Sequence, residues 1–220
     1  MPKPKEPSIM ATSRNQLEKF YCEADSFDLP RNFTCPNIDL FDVLEQRSSR
    51  REYHAMNTHD ISTLLWFTQR HTGNISDLID RVKTPVPTAG GLASVRTIVM
   101  QPSEQAWIYE PQNHRAITLP ASIDVCNSIR KLANKFFNIG DGTLLLFVAS
   151  RPFISEYYEN PETLVLREAG VILGTQALVA EALDFSFCPL GTTAKDWLLS
   201  LLGCGEETII PVGASVIGRR

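Results

Sequence analysis

Residues 164–183 read LVLREAGVILGTQALVAEAL. On a 3.6-residue wheel the apolar positions run nearly all the way round, which predicts a helix buried at the centre of the molecule. Working outward, residues 185–188 predict a short strand. Residues 193–202 predict a helix that Gly203 is placed to stop. Residues 208–216 predict a last strand. Upstream, Asp141-Gly142 precedes 143–149, TLLLFVA, the continuous apolar run that a central strand needs. Residues 97–100 and 106–109 are also strand-like. Pro85, Pro87, Gly90 and Gly91 mark a turn before them. A helix is expected over about 59–71, with Thr58 as cap, Asp60 in the first turn and Leu64, Leu65 and Phe67 on its buried side. Residues 38–50 carry Leu40, Phe41 and Leu44 at helical spacing. Helices, strands, a buried helix, then strand, helix and strand make an α+β order rather than a βαβ alternation. Residues 1–37 are polar and carry Pro2, Pro4, Pro7, Pro30 and Pro36. They read as an arm that orders against a partner subunit, ahead of a single domain over 38–220.

The 220 residues are 43% hydrophobic, enough for a sizeable core. A net charge of −4 with no dominant basic patch argues against nucleic acid as a partner. The apolar stretches fall short of a membrane span, and no apolar segment follows Met1–Glu6 as a signal peptide requires. The five cysteines are scattered with no CxxC, which fits reduced thiols in a cytoplasm. The four histidines show no metal-ligand spacing, so no metal is expected.

Three segments offer chemistry. The first is Arg47-Ser48-Ser49-Arg50-Arg51-Glu52-Tyr53, at the close of a helix. Guanidinium forks and hydroxyls together suit a phosphate; the alternative is a solvated basic helix end. The second is Pro87-Thr88-Ala89-Gly90-Gly91-Leu92, where two glycines let the backbone approach a flat ligand; the alternative is an ordinary turn. The third is Cys188-Pro189-Leu190-Gly191-Thr192, whose backbone N–H groups before a helix can hold an electron-rich oxygen; the alternative is a connecting loop. No GxGxxG, Walker A or G-x-S-x-G sequence is present, which removes the common nucleotide and hydrolase motifs.

The order of these segments resembles the nitroreductase superfamily, and in particular its SagB-type dehydrogenases, which include azoline oxidases. The resemblance rests on Arg47, Ser49, Arg51 and Tyr53; on Leu64-Leu65-Trp66; on Pro87 to Leu92; on Trp107-Ile108-Tyr109 and Leu119-Pro120; on Glu168-Ala169-Gly170 with Gln176; on Pro189-Leu190-Gly191; and on Pro211-Val212-Gly213. It covers residues 40 to 220. It implies an α+β sandwich, a central antiparallel or mixed sheet flanked by helices, in an interlocked homodimer with FMN at the subunit interface. It implies that Arg47, Ser49 and Arg51, with Ser48 close by, hold the phosphate. Pro87, Thr88, Ala89 and Gly90 would line one edge of the isoalloxazine, and Pro189, Leu190 and Gly191 would approach from the other subunit. Arg219 or Arg220 would complete the phosphate site.

Azoline oxidases carry a Lys-Tyr pair before the Glu-Ala-Gly helix. Here Glu156 and Tyr157 stand at those positions, so a base-like carboxylate replaces the cation. Tyr158 is a second candidate for moving protons. The implied function is two-electron hydride transfer through FMN, on a peptide or small organic substrate, with NAD(P)H as a candidate electron donor and a biosynthetic complex as a candidate setting. The alternatives are a stand-alone NAD(P)H-dependent nitroreductase and a non-catalytic scaffold that partners an enzyme.

Overall fold

The computed structural model describes residues 8–9, 25–75 and 81–220. In chain order its elements are β1 (Ser8–Ile9), β2 (Ser26–Asp28), α1 (Leu40–Gln46), α2 (Thr58–Gln69), β3 (Gly73–Asn74), β4 (Val82–Lys83), β5 (Val95–Met100), β6 (Trp107–Glu110), β7 (Arg115–Thr118), α3 (Ile123–Phe137), β8 (Thr143–Ser150), α4 (Arg151–Ser155), β9 (Tyr158–Glu159), α5 (Glu162–Ala182), β10 (Phe185–Leu190), α6 (Lys195–Leu202) and β11 (Ile209–Arg219). Seven strands form one sheet in the order β10-β11-β8-β5-β6-β7-β2, each pair antiparallel.

The sheet separates two cores, and β8 feeds both. Leu145, Phe147 and Ala149 face the core shared with α2 and α5, while Leu144, Leu146 and Val148 face the one shared with α3 and α6. That two-sided burial is why 143–149 is apolar without alternation. In β11, Pro211 sits where the register shifts between Pro211 and Gly213, a bulge that accommodates a residue with no N–H to give the ladder.

Four features refine the sequence reading. The arm expected to order against a partner contributes β2, an edge strand paired with β7 of the same chain, and Leu29 of this chain's own core. Residues 1–7 and 10–24 lie outside the described residues. Secondly, α1 shows its apolar spacing to solvent: Leu40, Phe41 and Leu44 are exposed, Phe41 by 72%, and Val43 is the buried residue. Thirdly, α2 is capped by Asn57 rather than Thr58, in a reciprocal box with Asp60. Phe67 is only half-buried. Fourthly, β10 runs on through Pro189 and Leu190, so the expected loop there reduces to Gly191 onward.

The sequence reading has no counterpart for α3 or β7. The buried stripe of α3 is Cys126, Ile129, Arg130 and Ala133, a guanidinium among apolar groups. Helix α5 is centrally placed, packing on α1, α2, β10 and β11. Only one stripe of it is buried, however, and the opposite side, with Leu166, Gly170, Val171 and Gly174, is exposed. By length and composition it could cross a membrane, yet its buried stripe includes Glu168, Gln176 and Glu181.

Candidate functional site

The segment from Arg47 to His54 is pinned along β10 and β11. Arg47 closes α1, its N–H donating to Val43 O. The Arg50 N–H donates to Phe187 O at 3.2 Å, and His54 and Arg219 exchange both backbone hydrogen bonds at 3.0 Å. The Tyr53 side chain covers Gly218 and Gly142, where any Cβ would press on Tyr53 at 2.7 and 3.0 Å. Its phenol is held well above the usual range by burial and by Cys188.

This packing sorts the cations. Arg50 donates to Glu181 at 2.5 Å, and Arg220 reaches the same buried carboxylate at 2.8 Å and also Asp184. Arg219 Nε donates to Asp60 Oδ2 at 2.7 Å, which raises its pKa. Arg47, Ser48, Ser49 and Arg51 are exposed, and among the described residues no ion pair engages Arg47 or Arg51. The segment therefore gathers Arg47, Ser48, Ser49, Arg51 and a half-exposed Arg219, with Arg50 committed to structure. Pro189 and Leu190 belong to the same sheet edge, paired with Ser215 and Ala214.

The Pro87–Gly90 segment is held elsewhere, by Glu168. That carboxylate is 4% exposed and accepts from Ala89 N–H at 3.1 Å, Ser94 Oγ–H at 3.1 Å and Val95 N–H at 2.9 Å. Glu168 and Glu181 both belong to the buried stripe of α5. The thirteen residue steps of helix from one to the other amount to about 20 Å. One chain thus carries its phosphate-type donors toward one end of α5 and its glycine turn toward the other.

Gly90 and Gly91 have φ of 57° and 74°, the left-handed region glycine adopts freely. The chain itself packs against both glycines. A Cβ on Gly90 would lie 2.5 Å from the Tyr158 hydroxyl and 3.0 Å from Arg81 Nη1; one on Gly91 would meet Ile75. Arg81 also donates to Gly90 O. Arg81 and Ile75 come from the β3–β4 hairpin, and Tyr158 from β9, which pairs with β1.

Of the expected proton-handling pair, Glu156 closes α4 and its Oε2 is buried with no hydrogen-bond partner among the described residues. Tyr157 packs edge-on against Phe153, 5.5 Å between ring centres. Tyr158 is the tyrosine that reaches the glycine turn. Sequence reasoning missed Arg81, Tyr158 as the contacting ring, and Glu168 and Glu181 as the residues that fix the two segments. The legible signal was two acids inside an otherwise apolar helix, since buried carboxylates are rare without partners.

No protein-family model matches the sequence, and no curated protein matches it significantly. Among solved structures the chain is similar to a candidate nitroreductase of Ralstonia eutropha JMP134, at 21% identity over 88% of this chain and 89% of that one, with TM-score 0.70. It is similar to a chain of the E. coli microcin synthetase complex solved with truncated pro-MccB17 bound, at 15% identity over 96% of this chain and 84% of that one, TM-score 0.60. A candidate nitroreductase of Desulfovibrio desulfuricans solved in complex with FMN matches at 15% identity over 83% and 87%, TM-score 0.56. The antiparallel sheet flanked by helices in this chain is the fold of those nitroreductase-type structures.

Proposed function

We propose that the protein is an FMN-dependent oxidoreductase that works as a homodimer. The observation that carries this reading is the gathering of Arg47, Ser48, Ser49, Arg51 and Arg219 on one sheet edge, in a fold that a solved relative uses with FMN. The donor set fits a phosphate dianion: two exposed guanidiniums without ion-pair partners among the described residues, two hydroxyls, and a third guanidinium, Arg219, that is half-exposed and shared with Asp60. Arg47, Ser48, Ser49, Arg51 and Arg219 would hold that phosphate. Pro87, Thr88, Ala89 and Gly90 would line the ring edge from one subunit, and Pro189, Leu190 and Gly191 would approach from the other.

Two chains are invoked for a physical reason. The segments lie about 20 Å apart along α5 within one chain, and α5 and α1 expose Leu166, Val171, Leu40, Phe41 and Leu44 on their outer sides. A second copy covering that apolar face would bring complementary segments together.

The flavin, when bound, supplies two-electron transfer. The chain's own residues bind it, orient it and handle protons. Glu156, with a buried unpaired oxygen, is suited to accept a proton, and Tyr157 or the neighbouring Tyr158 to relay one. The substrate is a peptide or small organic molecule, NAD(P)H is the candidate electron donor, and the setting is cytoplasmic. The similarity to a microcin synthetase chain favours a SagB-like dehydrogenase in a biosynthetic complex over a stand-alone reductase. The test is a visible absorption spectrum of the purified protein, with the released cofactor weighed by mass spectrometry. Stoichiometric FMN is expected; a colourless protein that also refuses added FMN overturns the reading in favour of a scaffold.

A further inference from the structure

A cleft of about 280 Å³ opens on the α3 side of the sheet, where that helix faces the turn after β5 and the turn before β8. That volume is near the lower end of small-ligand sites, roughly 300–1,000 Å³. Ser103, Asn127, Arg130, Lys131, Asn134 and Gly140 are among its walls, and no carboxylate of the described residues is. Arg130 is 8% exposed. Its guanidinium clasps the two turns, donating to Met100 O at 2.9 Å and to Gly140 O at 3.1 Å. Those carbonyls satisfy N–H groups but do not neutralise the charge. Among the described residues no carboxylate forms an ion pair with Arg130 or with the exposed Lys131. Burial lowers the Arg130 pKa, and Asp141 offsets part of this from beyond ion-pair distance. A guanidinium withdrawn from water without a paired anion is costly. Asn134 Oδ1 accepts from Gly140 N–H at 3.0 Å, which leaves its NH2 group to donate.

We propose that this cleft is an anion site that takes a phosphate group. The Lys131 ammonium and the Arg130 guanidinium together match a dianion, and the Asn127 and Asn134 amides add neutral donors. The ligand supplies the negative charge that the described chain does not place beside Arg130. A carboxylate monoanion, with one charge for two cations, binds more weakly. The α3 face of the sheet is opposite the face that carries α2 and α5, so occupancy of the cleft does not depend on the flavin proposed above. Two sources carry this chemistry: the free phosphate ion, and the phosphate ester of a nucleoside monophosphate.

The test is titration of the isotope-labelled full chain, with and without added FMN, followed by backbone amide NMR shifts. The probes are sodium phosphate, adenosine monophosphate and sodium acetate at constant ionic strength and about pH 8, where phosphate and its monoester are both mostly dianions. Saturable shifts are expected at residues 102–104, 127–134 and 139–141, with acetate at least about tenfold weaker than phosphate. Lys131→Glu, at an exposed position, should weaken phosphate at least about tenfold with circular dichroism unchanged. Asn127→Asp, nearly isosteric, should act in the same direction. Arg47→Ala should leave these shifts unchanged, which separates the cleft from the phosphate donors of the flavin site. Equal affinity for phosphate and adenosine monophosphate assigns the cleft to the free ion, and tighter binding of the nucleotide assigns it to the ester. Shifts that do not saturate, that survive both cleft variants, or that vanish with Arg47→Ala overturn the proposal and leave Arg130 as a clasp for two carbonyls. The expected shifts in a protein that takes no FMN keep the anion site and remove only the flavin reading.

Discussion

Arg47 and Arg50 are three residues apart and carry the same group, yet their surroundings give them different work. Arg50 is tied to Glu181, which is almost wholly buried, whereas Arg47 stands exposed with no ion pair among the described residues. Arg47→Ala is expected to weaken FMN binding by about 2 kcal/mol, the loss of a charge-assisted contact, with little change in stability. Arg50→Ala should do the reverse. It leaves Glu181 with Arg220 alone and costs about 1–2 kcal/mol of folding, discounted because the Arg50 side chain is one-third exposed. Flavin fluorescence titration and chemical denaturation separate the two, and equal effects of both variants on FMN affinity would contradict this division. A sequence shows five basic and hydroxyl residues in a row; which of them a distant carboxylate has claimed is a tertiary fact.

At the scale of elements, what was legible had a pattern that burial writes directly. The run 143–149 and the apolar stretch from 164 announced β8 and α5, and Gly203, with φ of 60°, stops α6 as its position implied. What was not legible lacked that pattern or carried it for another purpose. Helix α3 buries Cys126, Ile129 and Ala133, but Arg130, whose guanidinium donates to Met100 O and Gly140 O, interrupts that apolar stripe. Helix α1 has the apolar spacing but shows it to solvent. Of the candidate site, the phosphate-type segment and the glycine turn were visible as residue types. The parts that hold them, Glu168 and Glu181, were visible only as acids in an apolar helix. Glu168→Gln tests the first of these. Its NH2 would face an N–H or O–H donor wherever it turned, so a cost of about 2 kcal/mol is expected. Hydrogen exchange should quicken over residues 88–95 and stay unchanged in α3. Uniform quickening would mean that Glu168 supports the whole core rather than that loop.

For the whole molecule, two properties follow that no single contact supplies. The first is acid sensitivity. His114 is buried at φ 53°; its Nε2 lies 2.8 Å from Ser62 Oγ and 3.1 Å from Pro30 O, and its Nδ1 lies 2.7 Å from the Tyr109 hydroxyl. Burial lowers its pKa to about 4, and burial with Arg96 lowers that of His71 to about 4. Both folded-state values lie below the unfolded 6.5, so the unfolded chain binds protons first. Stability is whole above pH 7 and falls between about 6.5 and 4, by roughly 2–3 kcal/mol for His114. His114→Asn tolerates the left-handed backbone and removes the titration, so its Tm should start lower at pH 7.5 and fall less steeply toward pH 4; an unchanged slope would exonerate His114. The second property is association. Light scattering should find a dimer, and Val171→Arg, on the exposed side of α5, should yield a folded monomer, because an exposed site can carry the charge and an apolar interface cannot. If the cofactor site needs two chains, that monomer loses its FMN in step with its partner, since its own donor cluster and glycine turn remain about 20 Å apart along α5. A monomer that keeps stoichiometric FMN would show that one chain closes the site alone, and the apolar face would then have to be explained by some other occupant.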